Sequence, residues 1–437
     1  MRQRIVRLTL VGGVLFLALL LLLATCGSGG GGGDDGKQRK PAAAAKNSGP
    51  ATRLTVPSAY TTSLGWEVVG AGPDYAVSHP AARLAYLVRE PEQRYRLRTV
   101  DLETGRDGWS GEAWRPPDPL RFPKLLTMAR EDRQFFVTWA FGKIGDGPAP
   151  LETFVSLDVY DAENGERLRV EVPWSGAPTI TATGPDIVIS DGRANSAVVD
   201  PVTGEVSEVA ASGVKYPKGC TTCKRLTEVR GQTAQGLLLS GSREFWVRGG
   251  WFSRKVAPKG TDPRSGVPTS VNPGLVLAKW QLAKGAKRAA THELWTVHDA
   301  AKGKAVVSVE CHRPAIAPGR PPQALVSPSG RYLVAGNLAF DLEAKKGFCF
   351  EDKAGASLLT LASVTDDGTA YGARNARDAA DALEGGGTPV VMNFTTWGFD
   401  PLSPNERLPD VESSDTGVFR WTDRKDRLHL LGYPRTG

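Results

Sequence analysis

The stretch Thr99-Val-Asp-Leu-Glu-Thr-Gly-Arg106 sets a pattern that runs through the whole chain. An apolar strand end leads into Asp101, whose carboxylate can accept hydrogen bonds from backbone N–H groups two or three residues further on. Gly105 then supplies the positive φ that a type I turn followed by a bulge requires. The stretch therefore predicts a hairpin corner, which recurs at Val159–Gly165, Val198–Gly204, Val297–Gly303, Phe340–Gly347 and, more loosely, Gly398–Leu402.

The spacing of these corners indicates the size of the repeating unit. The corner aspartates Asp101, Asp161, Asp200, Asp299, Asp341 and Asp400 are 60, 39, 99, 42 and 59 residues apart. Because a four-stranded blade of a β-propeller takes ~40–50 residues, the two short gaps predict one blade each. The longest gap predicts two blades, one of which has lost its Asp corner but keeps strands at Gly236–Ser240 and Glu244–Arg248. The two gaps near 60 predict blades with insertions at about residues 142–150 and 374–387.

Short runs of Val, Leu, Ile and aromatic residues between turn residues predict the second strand of each blade. They are Arg83–Val88, Gln134–Thr138, Asp186–Ser190, Gly274–Ala278 and Arg331–Ala335. The only helix that the sequence predicts is a short surface insertion at Arg374–Glu384.

The two ends of the body predict how the ring closes. Gly417–Trp421 and Arg427–Leu431 predict a hairpin, which Gly65–Val69 from the other end can complete. Closure with strands from both termini removes the free sheet edge that would otherwise template aggregation. We therefore predict a single all-β propeller of four-stranded blades over residues 51–437, with eight blades favoured over seven, and a monomer.

The N-terminus has the composition of an export signal. Three arginines in the first ten residues precede the apolar run Leu8–Leu23, as in a secretory leader. The run ends in Leu23-Ala-Thr-Cys26, which resembles the lipobox of bacterial lipoproteins, where a peptidase cuts before the cysteine and a diacylglycerol is attached to its sulfur. Residues 1–25 are thus predicted to be a lipoprotein signal peptide, and Cys26 the lipidated residue.

The alternative interpretation is a retained signal anchor. Its apolar run of 16 residues is short against the ~20 residues that a membrane span needs. Both interpretations place the body at the extracytoplasmic face of the cell membrane. Residues 26–50 consist mainly of Gly, Ala, Lys and Pro, which cannot form a core and predict a flexible tether.

The charge distribution bears on the choice of partner. The formal net charge is +7, of which residues 1–25 contribute +3 and residues 26–50 contribute +2, so that about +2 remains for the body. A nucleic-acid groove would need basic residues concentrated on one element. The sequence shows no such element, and we expect no nucleic-acid partner.

The unit Val100-Asp-Leu-Glu-Thr-Gly105, with Trp109 after it, resembles the repeat of quinoprotein-like (PQQ-like) β-propellers. Together with the leader, the chain is similar to exported propeller lipoproteins of actinobacterial type. The resemblance implies the propeller fold and no particular activity. Quinoprotein dehydrogenases have a pair of adjacent cysteines, which this chain lacks, and none of their ligand residues can be matched here. We therefore expect no quinone and no other cofactor.

Four cysteines lie in the body, an even number that suits an oxidising compartment. Cys220 and Cys223 form a Cys-x-x-Cys motif in a loop that contains Pro217 and Gly219. A structural disulfide is favoured there over a redox dithiol, because redox motifs usually begin a helix. Cys311 and Cys349 are each predicted in the last strand of consecutive blades, which favours a disulfide between neighbouring blades over a four-cysteine zinc site.

The remaining chemistry-bearing residues form no catalytic or metal-binding motif, since the sequence has neither a Gly-x-Ser-x-Gly elbow nor a Gly-rich phosphate loop. Carboxylates such as Asp191, Asp366 and Asp367 occupy turns, where capping explains them. Histidines are interpreted as core or rim residues, and most tryptophans as blade packing, with a carbohydrate or peptide platform as the alternative. The histidines are His79, His292, His298, His312 and His429. The sequence assigns no catalytic residue, no metal ligand and no ligand-binding residue.

These observations favour a non-catalytic binding or assembly module, lipid-anchored outside the cell, with an unknown protein or glycan partner. The alternative is a propeller enzyme, glycan-acting or an oxidoreductase, whose residues converge on the central funnel from different blades. Two carboxylates or a metal-ligand cluster in the funnel would favour chemistry. Mixed polar and aromatic side chains would favour binding.

Overall fold

The computed structural model of the chain describes residues 49–143, 152–314, 321–413 and 415–436. Several predictions fall on other parts of the chain. The signal peptide (residues 1–25), the lipidation site Cys26, nearly all of the tether and most of the insertion near residues 142–150 lie outside the described residues. Within the described ranges, no helix has both the length and the apolar character needed to cross a membrane.

Eight antiparallel sheets make up the ring, and each sheet is one blade. The first strand, β1 (Trp66–Ala71), belongs to blade 8. Blade 1 comprises β2 (Tyr75–Ser78), β3 (Arg83–Glu90), β4 (Arg94–Asp101) and β5 (Asp107–Ser110). Blade 2 comprises β6 (Lys124–Arg130), β7 (Arg133–Lys143), β8 (Thr153–Asp161) and β9 (Arg167–Pro173). Blade 3 comprises β10 (Thr179–Thr181), β11 (Ile187–Ser190), β12 (Ser196–Val199) and β13 (Val206–Val209).

The second half of the ring follows the same order. Blade 4 comprises β14 (Glu228–Thr233), β15 (Gly236–Ser240) and β16 (Phe245–Val247). Blade 5 comprises β17 (Val267–Asn272), β18 (Leu275–Gln281), β19 (His292–Asp299) and β20 (Ala305–His312). Blade 6 comprises β21 (Leu325–Val326), β22 (Tyr332–Ala335), β23 (Leu338–Asp341) and β24 (Lys346–Cys349). Blade 7 comprises β25 (Thr360–Val364), β26 (Thr369–Arg374), β27 (Thr388–Asn393) and β28 (Gly398–Pro401), and blade 8 comprises β29 (Val411–Glu412), β30 (Thr416–Thr422), β31 (Leu428–Pro434) and β1.

Helices are few and short. α1 (Ser253–Val256) follows β16, and α2 (Ala379–Leu383) lies in the turn between β26 and β27. The side chain of Asp378 caps α2 by accepting a hydrogen bond from the Asp381 N–H at 2.9 Å. The predicted helix over 374–384 is therefore present in its second half. In the described ranges there are also three single 3₁₀ turns, at Pro91–Gln93, Ala211–Gly213 and Thr222–Lys224.

The ring closes with strands from both ends of the body, as predicted. β1 pairs antiparallel with β31, with Trp66 opposite Gly432 and Val68 opposite Leu430. The outermost strand of blade 8 comes from the N-terminal end, and its other three strands come from the C-terminal end. This closing blade is the eighth sheet, so the ring has eight blades rather than seven.

Blade 4 is the unit for which the sequence predicts no Asp corner. Its ordered sheet has three strands, and the position of a fourth strand is marked by the single bridge between Trp246 and Phe252. Without a corner aspartate to organise the turn, the chain passes directly from this bridge into α1.

The predicted corners are present where the third strand of a blade turns into the fourth. The carboxylate of Asp101 accepts a hydrogen bond from the Thr104 N–H at 2.8 Å, and Gly105 has φ of 66°. The corresponding carboxylates of Asp161, Asp200, Asp299 and Asp341 accept backbone N–H groups in the same way.

The sixth corner differs from the prediction. Asp400 lies inside β28 and opens no turn. The corner is opened by Asn393, whose side-chain oxygen accepts a hydrogen bond from the Thr395 N–H at 2.7 Å. An amide oxygen replaces a carboxylate here because an Asx turn needs only an acceptor. The positive φ falls on Trp397, at 57°, rather than on a glycine.

Tryptophans join some corners to the preceding blade. Each of three indole N–H groups donates a hydrogen bond to the carbonyl that follows a corner aspartate. These bonds join Trp66 to Leu102 at 3.0 Å, Trp109 to Ala162 at 3.1 Å and Trp251 to Ala300 at 2.9 Å. The indole lies flat against the corner glycine, since a Cβ on Gly165 would lie 2.6 Å from the Trp109 ring. Glycine is required there by close packing as well as by its φ.

The core is divided among the interfaces between neighbouring blades. Blades 2 and 3, for example, bury Val137 and Leu157 against Ile187 and Ile189. One such cluster lies between every pair of neighbouring blades around the ring. Each blade therefore depends on its neighbours for burial, which is the physical reason for a closed ring.

Candidate functional site

The alternation of strand direction distributes the turns between two faces of the ring. We call the face with the turns between second and third strands, and with the connections between blades, the upper face. The lower face carries the turns between first and second strands and the Asp corners. A cavity lies on each face near blades 7 and 8.

The upper cavity has a volume of about 770 Å³. Its walls come from connections and turns of blades 7, 8 and 1, together with the connection to blade 2. It is lined by Gly70, Ala71, Pro73, Phe122, Glu384, Arg407, Arg420, Trp421, Thr422, Asp426, Arg427 and Leu428. Because three arginines lie in this lining, we call it the arginine cavity.

Arg420 is held at the base of the arginine cavity by two acidic groups. Its Nε lies 3.4 Å from Oδ2 of Asp410, and its Nη2 lies 3.8 Å from Oε1 of Glu384. Burial raises the pKa of Asp410, and the nearby Arg420 charge opposes that rise. The Tyr75 hydroxyl lies beside the same carboxyl, and burial raises its pKa well above the usual range. The two ion pairs orient the guanidinium of Arg420. The lining as a whole holds three arginines against the two carboxylates of Glu384 and Asp426.

The other two arginines of the cavity have different partners. Arg427 donates from Nε to Oδ2 of Asp423 at 2.8 Å. Backbone N–H and side-chain hydrogen bonds from Arg427 lower the pKa of Asp423. Arg407 donates from Nη1 to the carbonyl of Glu384, an uncharged partner that leaves its positive charge available. With the aromatic rings of Phe122 and Trp421 in the same lining, the cavity can hold a ligand that offers both an anionic group and an apolar face.

The lower cavity has a volume of about 580 Å³. It is formed by the turns between the first and second strands of blades 6, 7 and 8 and by the residues after β31. It is lined by Pro328, Thr365, Asp366, Asp367, Glu412, Ser413, Asp415, Arg435 and Thr436. Four of these side chains are carboxylates, so we call it the acidic cavity.

Two aspartates of the acidic cavity also organise turns. Asp366 of blade 7 accepts hydrogen bonds from the N–H of Ser329 in blade 6 at 2.8 Å and from its hydroxyl at 2.6 Å. Asp367 accepts from the Thr369 N–H at 2.9 Å and from Arg435 Nη2 at 2.6 Å. Burial alone would raise the pKa of both carboxyls, but these hydrogen bonds lower it. The interpretation of these aspartates as turn-forming residues is correct, and they also line a cavity.

Glu412 is the most enclosed carboxyl of the acidic cavity, with a side chain only 1% exposed. Its Oε2 lies 3.4 Å from Nη1 of Arg435, and its Oε1 has no hydrogen-bond partner of good geometry among the described residues. Burial raises the pKa of Glu412 to about 7. The Tyr60 hydroxyl lies close enough to share a hydrogen bond with this carboxyl, and the Tyr371 hydroxyl interacts with it electrostatically. Burial is the largest cause of the raised pKa of both tyrosines.

The predicted disulfides are both present. Cys220 is bonded to Cys223 with their Cα atoms 5.4 Å apart, and Cys311 to Cys349 with their Cα atoms 6.0 Å apart. The second bond joins the last strands of blades 5 and 6, as predicted. The two sulfurs of the first pair lie near the carboxylate of Glu244, but disulfide sulfurs are not the thiolates that bind metal ions.

The histidines are spread over the ring. His298 is buried in blade 5, where it accepts a hydrogen bond from Trp280 Nε1 at 3.2 Å, and burial lowers its pKa to about 4. His292 and His312 contact each other at the upper rim, with their ring centroids 4.0 Å apart and their planes tilted by 38°. His429 lies between carboxylates of blade 8, and His79 lies near Asp366, where burial lowers the pKa of His79.

Sequence reasoning assigned no role to Arg407, Arg420 or Glu412. Each of them is an isolated charged residue at a strand end or in a connection, and such residues are usually solvated. One local signal was available for Glu412, which ends the inner strand β29 at the position where the first strands of all other blades except blade 2, with Arg130, end in uncharged residues. That signal marks an unusual residue without indicating what surrounds it.

The ring of eight blades defines the class of this protein as a β-propeller. No protein-family model matches the chain, and no curated protein does. Among solved structures, the chain is similar to Pyrococcus horikoshii acylaminoacyl peptidase in its orthorhombic crystal form, with 10% sequence identity and a TM-score of 0.37. The match covers 84% of this chain and 50% of that one, so this chain spans about half the length of the peptidase. A likeness of this degree carries no argument about activity.

Proposed function

We propose that this chain is an exported, lipid-anchored β-propeller that acts as a non-catalytic binding module at the outer face of the cytoplasmic membrane. The arginine-rich start, apolar run and Cys26 of the leader support export and lipidation. The arginine cavity supports the binding role, and it is the observation that carries the proposal. We also propose that its repeats are of the PQQ-like kind and that it is a propeller lipoprotein of actinobacterial type.

The ligand that best fits the arginine cavity is a carboxylate-bearing carbohydrate. Guanidinium groups recognise carboxylates by paired hydrogen bonds, and Arg407 has no acidic partner among its described hydrogen bonds and ion pairs. Aromatic rings such as Trp421 and Phe122 stack on the apolar faces of sugars. The volume of about 770 Å³ lies within the range of small-molecule sites.

Calorimetry with the full chain in detergent tests this role. We expect tetragalacturonate to bind and neutral maltotetraose to bind far more weakly. Arg407→Ala should weaken tetragalacturonate binding by roughly five- to tenfold, since one charged hydrogen-bond donor is lost. Arg106→Ala, at an exposed corner of the lower face, is the matched control and should leave the affinity unchanged. Equal binding of both sugars, or equal effects of the two variants, would contradict the proposal.

Mass spectrometry of the mature protein tests the anchor separately. We expect a chain that begins at Cys26 and carries the mass of a diacylglycerol, and a Cys26→Ser variant that lacks this mass and is released from membranes. A mature chain that retains residues 1–25 would instead indicate the signal anchor.

The alternative function is an enzyme with its active site in the funnel. The acidic cavity does contain two carboxyls, Asp367 and Glu412, whose pKa values are moved in opposite directions, and such pairs divide acid and base roles in hydrolases. However, the Glu412 side chain is 1% exposed and lies beside Arg435. Because a general acid must reach the bond that it protonates, this enclosure favours binding over catalysis. Hydrolysis of a glycan that is abolished by Glu412→Gln would establish the enzyme.

A further inference from the structure

We infer that the acidic cavity is a second binding site, which takes a ligand carrying an alkylammonium or guanidinium group. Asp366 and Asp367 would contact the cation, and the more deeply buried carboxyl of Glu412 would add negative charge to the same wall. This site lies on the opposite face from the arginine cavity and does not depend on the function proposed there.

The charges that line this cavity are not balanced. The lining contains Asp366, Asp367, Glu412 and Asp415 against the single cation Arg435. The body as a whole is slightly basic, with about +2 of the net charge of +7, so the acidity is a local property of this cavity. A cleft lined by one sign of charge concentrates ligands of the other sign.

The Glu412 carboxyl in this cavity is incompletely hydrogen-bonded. Nearly all buried polar atoms in proteins have a well-aligned hydrogen-bond partner. The Oε1 of Glu412 has no well-aligned partner among the described residues, and the Tyr60 hydroxyl is the neutral donor beside this carboxyl, which lines the cavity. The groups that face this carboxyl are Arg435, Asp367, Tyr60 and Tyr371. Only one of them is a cation, and Arg435 divides its charge between Glu412 and Asp367.

The walls of the cavity have the size and the chemistry of a ligand site. The volume of about 580 Å³ exceeds what a water cluster at a turn needs and lies in the range of ligand sites. Thr365, Ser413 and Thr436 add hydroxyl oxygens to the carboxylates. An ammonium group has three N–H donors and no acceptor, so a wall rich in acceptors suits it.

The cation could belong to a free polyamine or to a basic side chain of a protein. Calorimetry with the full chain in detergent distinguishes them by using spermidine and a lysine-containing pentapeptide as probes. Tighter binding of spermidine indicates a small ligand, and tighter binding of the peptide indicates a protein partner. Either result supports a cation site. Failure of both probes to bind at millimolar concentration overturns it.

Variants show whether binding occurs in this cavity. Asp366→Asn keeps an oxygen acceptor for Ser329 but removes a charge, and we expect the affinity for the better probe to fall roughly tenfold. Asp107→Asn, an exposed residue at the lower end of blade 1, is the control and should change the affinity less than twofold. Equal losses in both variants would mean non-specific attraction and would overturn the proposal.

Proton release gives an independent measure of Glu412. Its pKa of about 7 means that the carboxyl is about half protonated at pH 7, and a bound cation should drive out about half a proton. Titrations in two buffers of different ionisation enthalpy measure this number. We expect no proton release in Glu412→Gln, whose fold is checked by circular dichroism. Undiminished proton release in that variant would show that Glu412 does not face the ligand.

Discussion

The two faces of this propeller carry cavities of opposite character, although blade 8 helps to build both. At the upper end of β30, Arg420 faces a cavity lined by three arginines and two aromatic rings. Eight residues earlier, at the lower end of β29, Glu412 faces a cavity lined by four carboxylates. A single short hairpin therefore supplies a cation to one face and a carboxyl to the other.

A propeller can separate the chemistry of its two faces through strand direction alone. Successive turns of an antiparallel blade point to opposite faces, so neighbouring residues in sequence can serve unrelated sites. The faces also differ in how their central charge is compensated. Arg420 has two acidic neighbours, whereas Glu412 and Asp367 share one arginine.

The largest expected effect comes from opening the blade that both cavities share. Trp66→Ala removes a buried indole that donates to Leu102 and packs on Gly105. We expect the free energy of unfolding to fall by about 3–5 kcal/mol, with both ligands bound more weakly. Urea denaturation measures the loss. Leu120→Ala, at a side chain that is 75% exposed, is the control, with a change below about 0.5 kcal/mol. Loss of one binding activity alone would show that the faces do not share a scaffold.

The two disulfides, which both lie towards the upper face, should differ in how much they stabilise the fold. Replacing Cys311 and Cys349 by serine removes a link across 38 residues, and loop-closure entropy predicts a loss of about 3–4 kcal/mol. Replacing Cys220 and Cys223, which are 3 residues apart, should cost about 2 kcal/mol. Thermal and urea unfolding of the two double variants give the ratio. A larger loss from the short link would mean that local ordering of its loop dominates.

Arg420→Met tests the charge compensation in the arginine cavity, because the variant leaves Asp410 buried without its cation. We expect a loss of about 2–4 kcal/mol at pH 8. Because the pKa of Asp410 is already raised by burial, its folded form favours the proton, and the loss should be smaller at pH 5. Urea denaturation at the two pH values measures the difference. Arg424→Met, exposed in the next turn, should have almost no effect. Equal losses at both pH values would exclude Asp410 as the cause.

In the acidic cavity, we expect removal of the charged group at Glu412 to stabilise the protein at high pH, whereas removal of Arg420 destabilises it. This is also the smallest of the expected effects. The pKa of Glu412 is about 7 in the folded chain against an ordinary value of 4.5, so the folded state holds its proton more tightly. Stability from this group is complete below pH 4.5 and is lost as the pH rises towards 8.

Glu412→Gln cannot ionise and should remove this slope. Between pH 5 and pH 8 the wild-type protein should lose about 1–3 kcal/mol more than the variant, as measured by urea denaturation. Glu103→Gln, exposed at a corner of the lower face, should keep the wild-type slope. Parallel slopes for wild type and Glu412→Gln would mean that Arg435 keeps Glu412 ionised throughout.

Much of the fold could be predicted from the repeat. The Asp101 corner and its copies are local structures, because the carboxylate and the glycine act within a few residues of each other. The prediction was wrong at Asp400, where Asn393 opens the corner instead, because an amide and a carboxylate serve an Asx turn equally. The closing strand was predictable because an unpaired edge is costly wherever it lies in the chain.

Neither cavity could be predicted in this way. Gly70 and Asp426 line the arginine cavity together, although most of the chain separates them. Asp366 and Arg435 meet in the acidic cavity only because blades 7 and 8 are neighbours. A charged residue at a turn looks the same in the sequence whether it faces solvent or another charge.

Five of the six corners, a ring of eight or seven blades, the closing strand and the favoured cysteine pairs could be predicted from the residues alone, since each depends on local turn chemistry or on the spacing of units. The charges that face each other across the ring, and the depth of their burial, follow from the packing of blades that are distant in the chain. The reason is that a hydrogen-bonded turn is complete within a few residues, whereas burial and the pKa of a group such as Glu412 depend on every element packed around it.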